Sequence, residues 1–223
     1  MKKILLTLGL AAVVTGLQAQ GLVSFYSFAG TLKTNSATSV FAGGSQTGGT
    51  SGVTSSAANS FYYTVLIAAS SPGTNNPAAG GWTQALYNGS GIIGTNYAGL
   101  TGDMQGPKGT SSTPIDNWGS GNTMSFIIVG WSSNLGSDWT TVLSELNSGW
   151  ANIPNFSAAN SYFFGVSSIG SGASGTPPTG TPLSLFTTVG SFNLYSVGAV
   201  PEPGTIALAG LGIASLFVLR RKK

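Results

Sequence analysis

The side chains of this chain that could carry out acid–base or nucleophilic chemistry are few. Between residues 20 and 200 there are four carboxylates, at Asp103, Asp116, Asp138 and Glu145, and the 223-residue chain contains neither His nor Cys. Without His there is no Ser-His-Asp triad and no imidazole ligand, and without Cys there is no thiolate nucleophile or thiolate zinc site. We therefore expect no enzyme, no catalytic residue, no metal and no cofactor.

Paired carboxylates are the remaining route to catalysis, since a glycosidase needs two that face each other across the scissile bond. Asp138 and Glu145 are better explained by a helix, one at its start and one on its surface. Asp103 and Asp116 are then the two acids that could pair across a loop, and a catalytic dyad there is the least favoured interpretation.

The segment around Asp116 has a weak similarity to a calcium-binding loop. Asp116-Asn117 is followed by Gly119, Gly121 and Asn122, all residue types that such loops use. The regular ligand spacing and the closing Glu are missing, however. An ordinary turn is therefore the expected structure.

Five tryptophans could offer flat apolar faces to sugar rings or could pack in a core. Trp131 ends an apolar run and Trp139 lies on a helical stripe, so both are predicted to be buried. Trp82, Trp118 and Trp150 lie beside Gly or Asn in loop-like surroundings. These three are the candidate sugar-stacking residues, with core packing as the alternative.

The charges of the chain are concentrated at its two ends. Between residues 20 and 200 only Lys33 and Lys108 oppose the four acids, which gives this body a net charge of −2. The sequence pI of about 9.3 comes from the termini. Because no basic patch is available to neutralise phosphates, binding to nucleic acid is not expected.

The amino terminus has the three parts of a secretory signal peptide. Lys2 and Lys3 form the positive region, residues 4–17 are mostly apolar, and Ala19 is the small residue that signal peptidase requires before the cut. We expect cleavage between Ala19 and Gln20, which places the body outside the cytoplasm. The absence of Cys means that this body is not built on disulfides.

The body shows short aromatic and β-branched runs separated by Gly, Ser, Thr, Asn and Pro. The predicted strands are Leu22–Phe28, Ser60–Ala68, Met124–Trp131, Ser161–Ser167 and Leu183–Tyr195 (the last open to a break at Gly190), with weaker candidates at Thr38–Phe41, Trp82–Tyr87 and Gly91–Ile93. Continuous apolar runs such as Phe126–Val129 indicate strands that are covered on both faces. The expected fold is all-β, a sandwich or jelly-roll-like domain.

One helix is predicted, from Ser137 to Leu146. Its start carries good capping residues, and Trp139, Val142, Leu143 and Leu146 form one apolar stripe that should lie on a sheet. Three Gly- and Ser-rich stretches, Ala42–Ala58, Ser70–Gly81 and Gly170–Pro182, are predicted to be long loops or irregular edge strands. A signal helix and a single hydrophobic helix are expected to flank the domain.

The carboxyl terminus combines an acidic tripeptide, an apolar run and a basic end. Pro201-Glu202-Pro203 precedes residues 205–219, and Arg220, Arg221, Lys222 and Lys223 follow as a basic stop signal. A helix of that length spans roughly 22 Å, against about 30 Å for the bilayer core. The run is therefore a poor permanent anchor, and the cations should stay on the cytoplasmic side.

This arrangement closely resembles the PEP C-terminal (PEP-CTERM) sorting signal of exosortase substrates in exopolysaccharide-producing Gram-negative bacteria. The resemblance covers about the last two dozen residues. It implies that a polytopic membrane protease-transpeptidase recognises Pro201, Glu202 and Pro203 and removes the tail. It also implies that the membrane is a transient partner, through residues 205–219. The expected organisation is a signal peptide (1–19), a β-rich extracytoplasmic domain (20–199) and a sorting signal (200–223).

The expected function is that of an exported, tail-processed structural or adhesion protein of the cell surface or extracellular matrix, associated with exopolysaccharide. Before processing, it would be anchored in the inner membrane. A carbohydrate-binding module with a Trp stacking site is one alternative. An ice- or surface-adhesive protein is another, although the regular Thr array that it would need is not sustained beyond Thr110–Thr113.

Overall fold

Runs of aromatic and β-branched residues form the longest strands of this protein. The computed structural model describes residues 20–153 and 162–197, and within them β-strands predominate. The all-β class predicted from the sequence is confirmed. The expected signal helix and the expected C-terminal hydrophobic helix lie outside the described residues.

The elements of the described residues follow in chain order. The strands are β1 (Gln20–Ser24), β2 (Leu32–Thr38), β3 (Ser51–Val53), β4 (Phe61–Ala68), β5 (Thr83–Gln84), β6 (Leu86–Tyr87), β7 (Ser90–Gly91), β8 (Gly94–Asn96), β9 (Met104–Gln105), β10 (Thr113–Gly119), β11 (Thr123–Ser132), β12 (Phe163–Val166), β13 (Gly170–Ala173), β14 (Leu183–Ser184) and β15 (Phe192–Ser196). The helices are α1 (Trp139–Asn147) and α2 (Leu185–Val189), with short 3-10 helices at Val40–Ala42 and Ser133–Leu135.

Two sheets carry most of these strands. The large sheet has the order β3-β2-β15-β12-β11-β4-β8-β9, with β13 also paired to β11 and β5 to β4. The small sheet has the order β10-β1-β14, and β6 and β7 form a separate hairpin. Pairing is antiparallel except between β15 and β2 and between β1 and β14.

Strand β11 is the centre of the large sheet and is buried on both of its faces. Phe126 and Ile128 belong to a first core, whereas Ile127 and Val129 belong to a second core. Alternate residues of a strand point to opposite faces, so a continuous apolar run suits a strand that is covered twice. The prediction made from this run is confirmed.

The first core lies between the two sheets. Val23 of β1 and Ile115 of β10 are buried in one cluster with Val65 of β4 and Phe126 of β11. The small sheet therefore covers one face of the large sheet, which produces a two-layer β architecture.

The second core lies under helix α1. Trp139, Val142 and Leu146 are buried and Leu143 is partly buried, all against the other face of the large sheet. The ring of Trp139 lies 6.0 Å from that of Trp131. The predicted stripe and its contact with a sheet are therefore confirmed, and the large sheet is packed on both sides.

The predicted strand Leu183–Tyr195 is wrong in its middle. Residues 185–189 form helix α2, and only β14 and β15 at its two ends are strands. The helix turns Leu185, Phe186 and Val189 into the first core, where the ring of Phe186 lies 6.3 Å from Phe25. Burial of one helical face here outweighs the β preference of Thr187 and Thr188.

Two predicted loops contain strands. β3 lies within Ala42–Ala58 and β13 within Gly170–Pro182, whereas Ser70–Gly81 has no helix or strand, as predicted. The glycines of β13 meet core side chains. A Cβ at Gly170 would lie 2.6 Å from the ring of Phe126, and one at Gly172 would lie 2.7 Å from Leu183. β13 packs closely because two of its four residues are glycines, and for the same reason it has no hydrophobic pattern by which it could be predicted from the sequence.

Boundaries differ at the remaining predicted strands. β1 ends at Ser24, four residues before the predicted end, and β12 begins at Phe163. Val40–Ala42 is a 3-10 helix whose first turn is capped by the Ser39 hydroxyl, so the strand predicted at Thr38–Phe41 is wrong beyond Thr38. Trp82–Tyr87 is divided between β5 and β6, and of Gly91–Ile93 only Gly91 is in a strand.

Candidate functional site

The residues predicted to direct sorting and processing lie outside the described part of the chain. These are Ala19, Pro201, Glu202, Pro203, Arg220, Arg221, Lys222 and Lys223. Gln20, the residue predicted to follow the signal-peptide cut, is the first residue of β1. No helix of the described residues is long and apolar enough to cross a membrane.

Two of the three candidate sugar-stacking residues are core residues. Trp118 and Trp150 each have 0% of their surface exposed. The Trp118 ring lies 5.9 Å from Phe126 in the first core, and the Trp150 ring lies 5.1 Å from Phe164 in the second core. For these two rings the structure has the core packing that was the alternative to sugar stacking.

The physical reason lies in the polar ends of the two indoles. Trp118 Nε1 donates to the carbonyl oxygen of Asn122 at 2.8 Å, and Trp150 Nε1 donates to that of Phe41 at 2.7 Å. Each buried N–H is satisfied, so a large apolar ring can be buried at no polar cost. Gly149 lies in the turn that leads to Trp150, whereas Asn117 and Gly119 on either side of Trp118 belong to strand β10.

Trp82 is placed differently. It is partly buried against the second core, and its Nε1 donates to the carbonyl oxygen of Thr74 at 3.0 Å. This bond ties the ring to the loop Ser70–Gly81. Of the three candidates, Trp82 alone retains part of its ring surface in solvent.

The two acids considered as a pair are held by different partners. Asp103 is buried, and its Oδ1 accepts hydrogen bonds from the Ser27 hydroxyl at 3.1 Å and from the Met104 N–H at 2.7 Å. Asp116 accepts from Gln20 Nε2 and from the Gly89 N–H, each at 2.6 Å. Each carboxylate joins two chain segments.

Tyr63 is the titratable group most strongly affected by its surroundings. Burial raises the pKa of its hydroxyl, the negative charge of Asp103 raises the pKa further, and the Thr54 hydroxyl partly offsets both effects. The phenol therefore stays protonated at every physiological pH. A general base or a nucleophile would need the opposite shift.

A surface cavity of about 490 Å³ lies where β10 meets β11. Its lining residues are Ala69, Asp116, Asn117, Gly119, Asn122, Thr123 and Met124. Asn117 Oδ1 accepts from the Leu86 N–H at 2.8 Å, and its Nδ2 donates to the Gln84 carbonyl oxygen at 2.9 Å. The Asp116 and Asn117 side chains thus fasten the β6–β7 hairpin to β10.

The wall of the cavity combines polar and apolar surface. Both oxygens of Asp116 are occupied by donors, and Met124 and Ala69 supply apolar surface. No group of three or more His, Cys, Asp or Glu that could hold a metal ion occurs within the described ranges. Such a wall can offer hydrogen bonds to a neutral polar ligand.

The structure also exposes apolar residues that the sequence pattern did not single out. Phe28 is 59% exposed, Leu100 is 45% exposed and Tyr97 is 38% exposed. Phe28 ends a predicted strand, and the other two lie in no predicted element. Hydrophobic periodicity detects faces that elements bury, so it carries no signal for apolar residues on loops.

Comparison with known proteins concerns the tail alone. A family model described as the PEP-CTERM protein-sorting motif matches residues 199–222. No curated protein and no solved structure matches the chain. The matched segment contains the tripeptide, the apolar run and most of the basic end. The chain therefore carries a PEP-CTERM protein-sorting motif, which implies an exported protein that is anchored at its C-terminus before an exosortase, a membrane enzyme, processes it.

Proposed function

We propose that this chain is a non-enzymatic protein of the cell surface or extracellular matrix that associates with exopolysaccharide after its tail has been removed. The observation that carries this proposal is the PEP-CTERM motif at residues 199–222, immediately after the last described strand. A folded β-domain followed by a sorting tail is an arrangement that suits an exported surface protein.

The proposed processing uses the two ends of the chain in turn. Signal peptidase cuts between Ala19 and Gln20, and the exosortase recognises Pro201, Glu202 and Pro203. Proline restricts both itself and the residue before it, so this tripeptide favours an extended backbone that an enzyme can bind. Residues 205–219 hold the protein in the inner membrane only until the cut is made.

The surface of the domain supports association with a neutral polymer. Lys33, Lys108 and Asp138 are exposed, whereas Asp103 is buried and Asp116 is partly covered. With so few charges, contacts with a partner must come from neutral hydroxyl and amide groups, which suit the hydroxyl groups of a polysaccharide. Trp82 supplies the partly exposed ring that could stack on a sugar.

A non-catalytic role is supported by the way in which the carboxylates are used. Asp103 and Asp116 each accept two hydrogen bonds from groups that the fold needs in place, and Asp138 caps helix α1. A general acid or base must be free to exchange its proton with a substrate. These side chains instead stabilise turns and strand ends.

The test is the intact mass of the native protein in the inner-membrane, surface and medium fractions, for wild type and for Glu202→Ala. We expect wild type to lose residues 1–19 and the apolar run after Pro203 and to leave the membrane, and the variant to keep its tail. Glu145→Ala removes an acid from the body and should be processed like wild type. A wild-type mass that still includes Arg220–Lys223 would contradict the proposal.

A further inference from the structure

Phe28, Tyr97 and Leu100 are exposed apolar residues on two loops that are hydrogen-bonded to each other. We call these three residues, together with the partly buried Tyr26, the apolar pole. The rings of Tyr26 and Phe28 meet edge to face with their centroids 5.6 Å apart. Exposed apolar residues that occur singly need no explanation, but several on neighbouring loops mark a candidate interaction surface.

The two loops are held together by backbone hydrogen bonds. The Gly30 N–H donates to the Thr101 carbonyl oxygen at 2.9 Å, and the Leu32 N–H donates to that of Gly102 at 3.0 Å. Beneath them, the buried Asp103 accepts from the Ser27 hydroxyl, which itself accepts from the Met104 N–H at 2.9 Å. The apolar side chains are therefore presented by a preorganised frame, which lowers the entropy cost of binding.

The apolar pole carries no charge of its own. Residues 26–30 and 97–102 include no Lys, Arg, Asp or Glu, and the adjacent Asp103 is 7% exposed. An isologous contact brings the same patch of two copies face to face, so any net charge would repel itself. The two loops of the pole meet that requirement without a complementary partner surface. At the β3 edge, the exposed Lys33 is the register partner of Val53 and places one cation beside the surface of each copy, which opposes pairing there.

The pole adjoins an open edge of the large sheet. β3 is the terminal strand in the sheet order, all three of its residues are exposed, and Val53 is 46% exposed. The segment after β3 accepts hydrogen bonds from the pole loop, from Gly102 N–H to the Thr54 carbonyl oxygen at 3.0 Å. The unpaired N–H and C=O groups of a free strand edge can form a β-ladder with the strand of another protein chain. A polysaccharide has no strand with which to form such a ladder.

The pole is also at the end of the sheet opposite to the tail. β15 runs parallel to β2, with Phe192 beside Leu32 near the pole and Ser196 beside Thr38 at the other end. The two ends are roughly 13 Å apart along the strand. Since the sorting motif begins at residue 199, the pole lies at the end of the sheet away from the point where the tail begins.

We propose that the apolar pole and the adjoining edge of β3 bind the same surface of a second copy of this chain. The link to adhesion rests on the proposed surface location, whereas the pairing itself does not. In a pair joined pole to pole, the carboxyl-terminal ends of the two domains lie on opposite sides of the contact, which gives the proposed adhesion a structural basis.

The absence of Cys in the natural chain allows a direct test in intact cells. Single variants Phe28→Cys and Leu100→Cys of the full chain are treated with a short bis-maleimide. Val40→Cys is the matched control, because Val40 is 49% exposed but lies at the tail end, where the Ser39 N–H donates to the Ser196 carbonyl oxygen. We expect a crosslinked dimer from the two pole variants and none above background from the control.

A second measurement distinguishes specific pairing from crosslinks that form by chance between molecules at high local concentration. Sedimentation velocity of the protein released by the cells is compared for wild type, for Phe28→Ser with Leu100→Ser, and for Val40→Ser. The double variant should raise the dissociation constant of the dimer by roughly tenfold or more, and Val40→Ser should leave it unchanged. Retained thermal stability in the double variant shows that it is folded.

Three results would overturn the inference. The first is a wild-type protein that stays monomeric at all concentrations, and the second is a Val40→Cys variant that crosslinks as much as the pole variants. The third is a monomeric wild type that binds neutral polysaccharide or lipid vesicles through the pole, so that the double variant loses this binding. The proposed function is judged separately, since a dimer with an unprocessed tail supports pairing alone, and a processed monomer supports sorting alone.

Discussion

At the scale of the residue, the polar and aromatic side chains that could have formed a site mostly stabilise the fold. The indole N–H groups of Trp118 and Trp150 satisfy carbonyl oxygens inside the protein, and the carboxylate of Asp103 joins Ser27 to the start of β9. An unsatisfied buried polar group costs about 1–3 kcal/mol, so these bonds decide whether the rings and the acid can be buried at all.

Asp138 shows the same use of a carboxylate at the surface. Its Oδ1 accepts from the Thr141 N–H and its Oδ2 from the Thr141 hydroxyl, each at 2.8 Å, and these bonds hold its pKa below 3.8. Removing the N-cap in Asp138→Ala should lower the free energy of unfolding by about 1 kcal/mol in urea denaturation near neutral pH. Asp138→Asn keeps the cap and should lose much less.

The pH dependence of this effect has a defined sign. Because the folded-state pKa is depressed, the stabilisation by the charge is present above the unfolded-state pKa near 3.8 and is lost as pH falls through the folded value. The advantage of wild type over Asp138→Asn should therefore vanish in acid. An advantage that persisted at about pH 2 would mean that the charge of Asp138 is not its source.

At the scale of the element, several strands contain a glycine because a neighbouring strand or side chain lies too close for a Cβ, and not because the chain turns there. A Cβ on Gly165 of β12 would collide with the Asn193 carbonyl oxygen of β15, and one on Gly130 of β11 would lie 2.7 Å from the ring of Tyr63. β12 connects β11 to β15 in the sheet order. The approach of backbone to backbone at Gly165 therefore holds the two halves of the large sheet together.

Gly165→Ala is expected to lower the free energy of unfolding by about 1–3 kcal/mol, because the added methyl must push β12 away from β15. Gly52→Ala on β3 is the matched control, since the nearest atom to its Cβ would be Thr34 Oγ1 at 3.8 Å. Urea denaturation of both variants measures the difference. Equal stability of the two would show that β12 moves without cost.

At the scale of the whole molecule, the domain has two distinct ends. The tail leaves from the end of β15, and the apolar pole lies at the beginning of the neighbouring β2. The side surfaces between these ends carry few charges, since the entire body has two cations and four acids. Attachment and the proposed pairing are thus separated along the strand direction.

The scarcity of charge predicts a stability that hardly depends on salt. Raising NaCl from about 0.02 M to about 0.3 M should shift the melting temperature of the processed protein by less than about 2 °C, because there are few charges to screen. Sodium sulfate should raise the melting temperature, since it strengthens apolar burial. A large fall in melting temperature with NaCl would reveal an ion-pair network that the composition does not suggest.

Much of the fold follows from patterns that are contiguous in the chain. The apolar run of β11 predicts a strand with two covered faces, and the stripe from Trp139 to Leu146 predicts a helix on a sheet. Strand β13 and helix α2 could not be predicted, because one is made of small residues and the other is helical only through burial of Leu185, Phe186 and Val189. The same limit applies to the sites, since Trp118 and Trp150 have the local surroundings of exposed residues.

The sequence by itself determined the all-β class, the amphipathic helix and the sorting motif at residues 199–222, because each is read from neighbouring residues. Only the tertiary structure decided which aromatic rings are exposed. Burial depends on segments that are far apart in sequence, as when the Phe41 carbonyl oxygen accepts from Trp150 or when the loops of Phe28 and Leu100 meet through Gly30 and Thr101. Trp82 is therefore the one tryptophan of the three that keeps an exposed part, and the apolar pole is a surface that only the tertiary structure brings together.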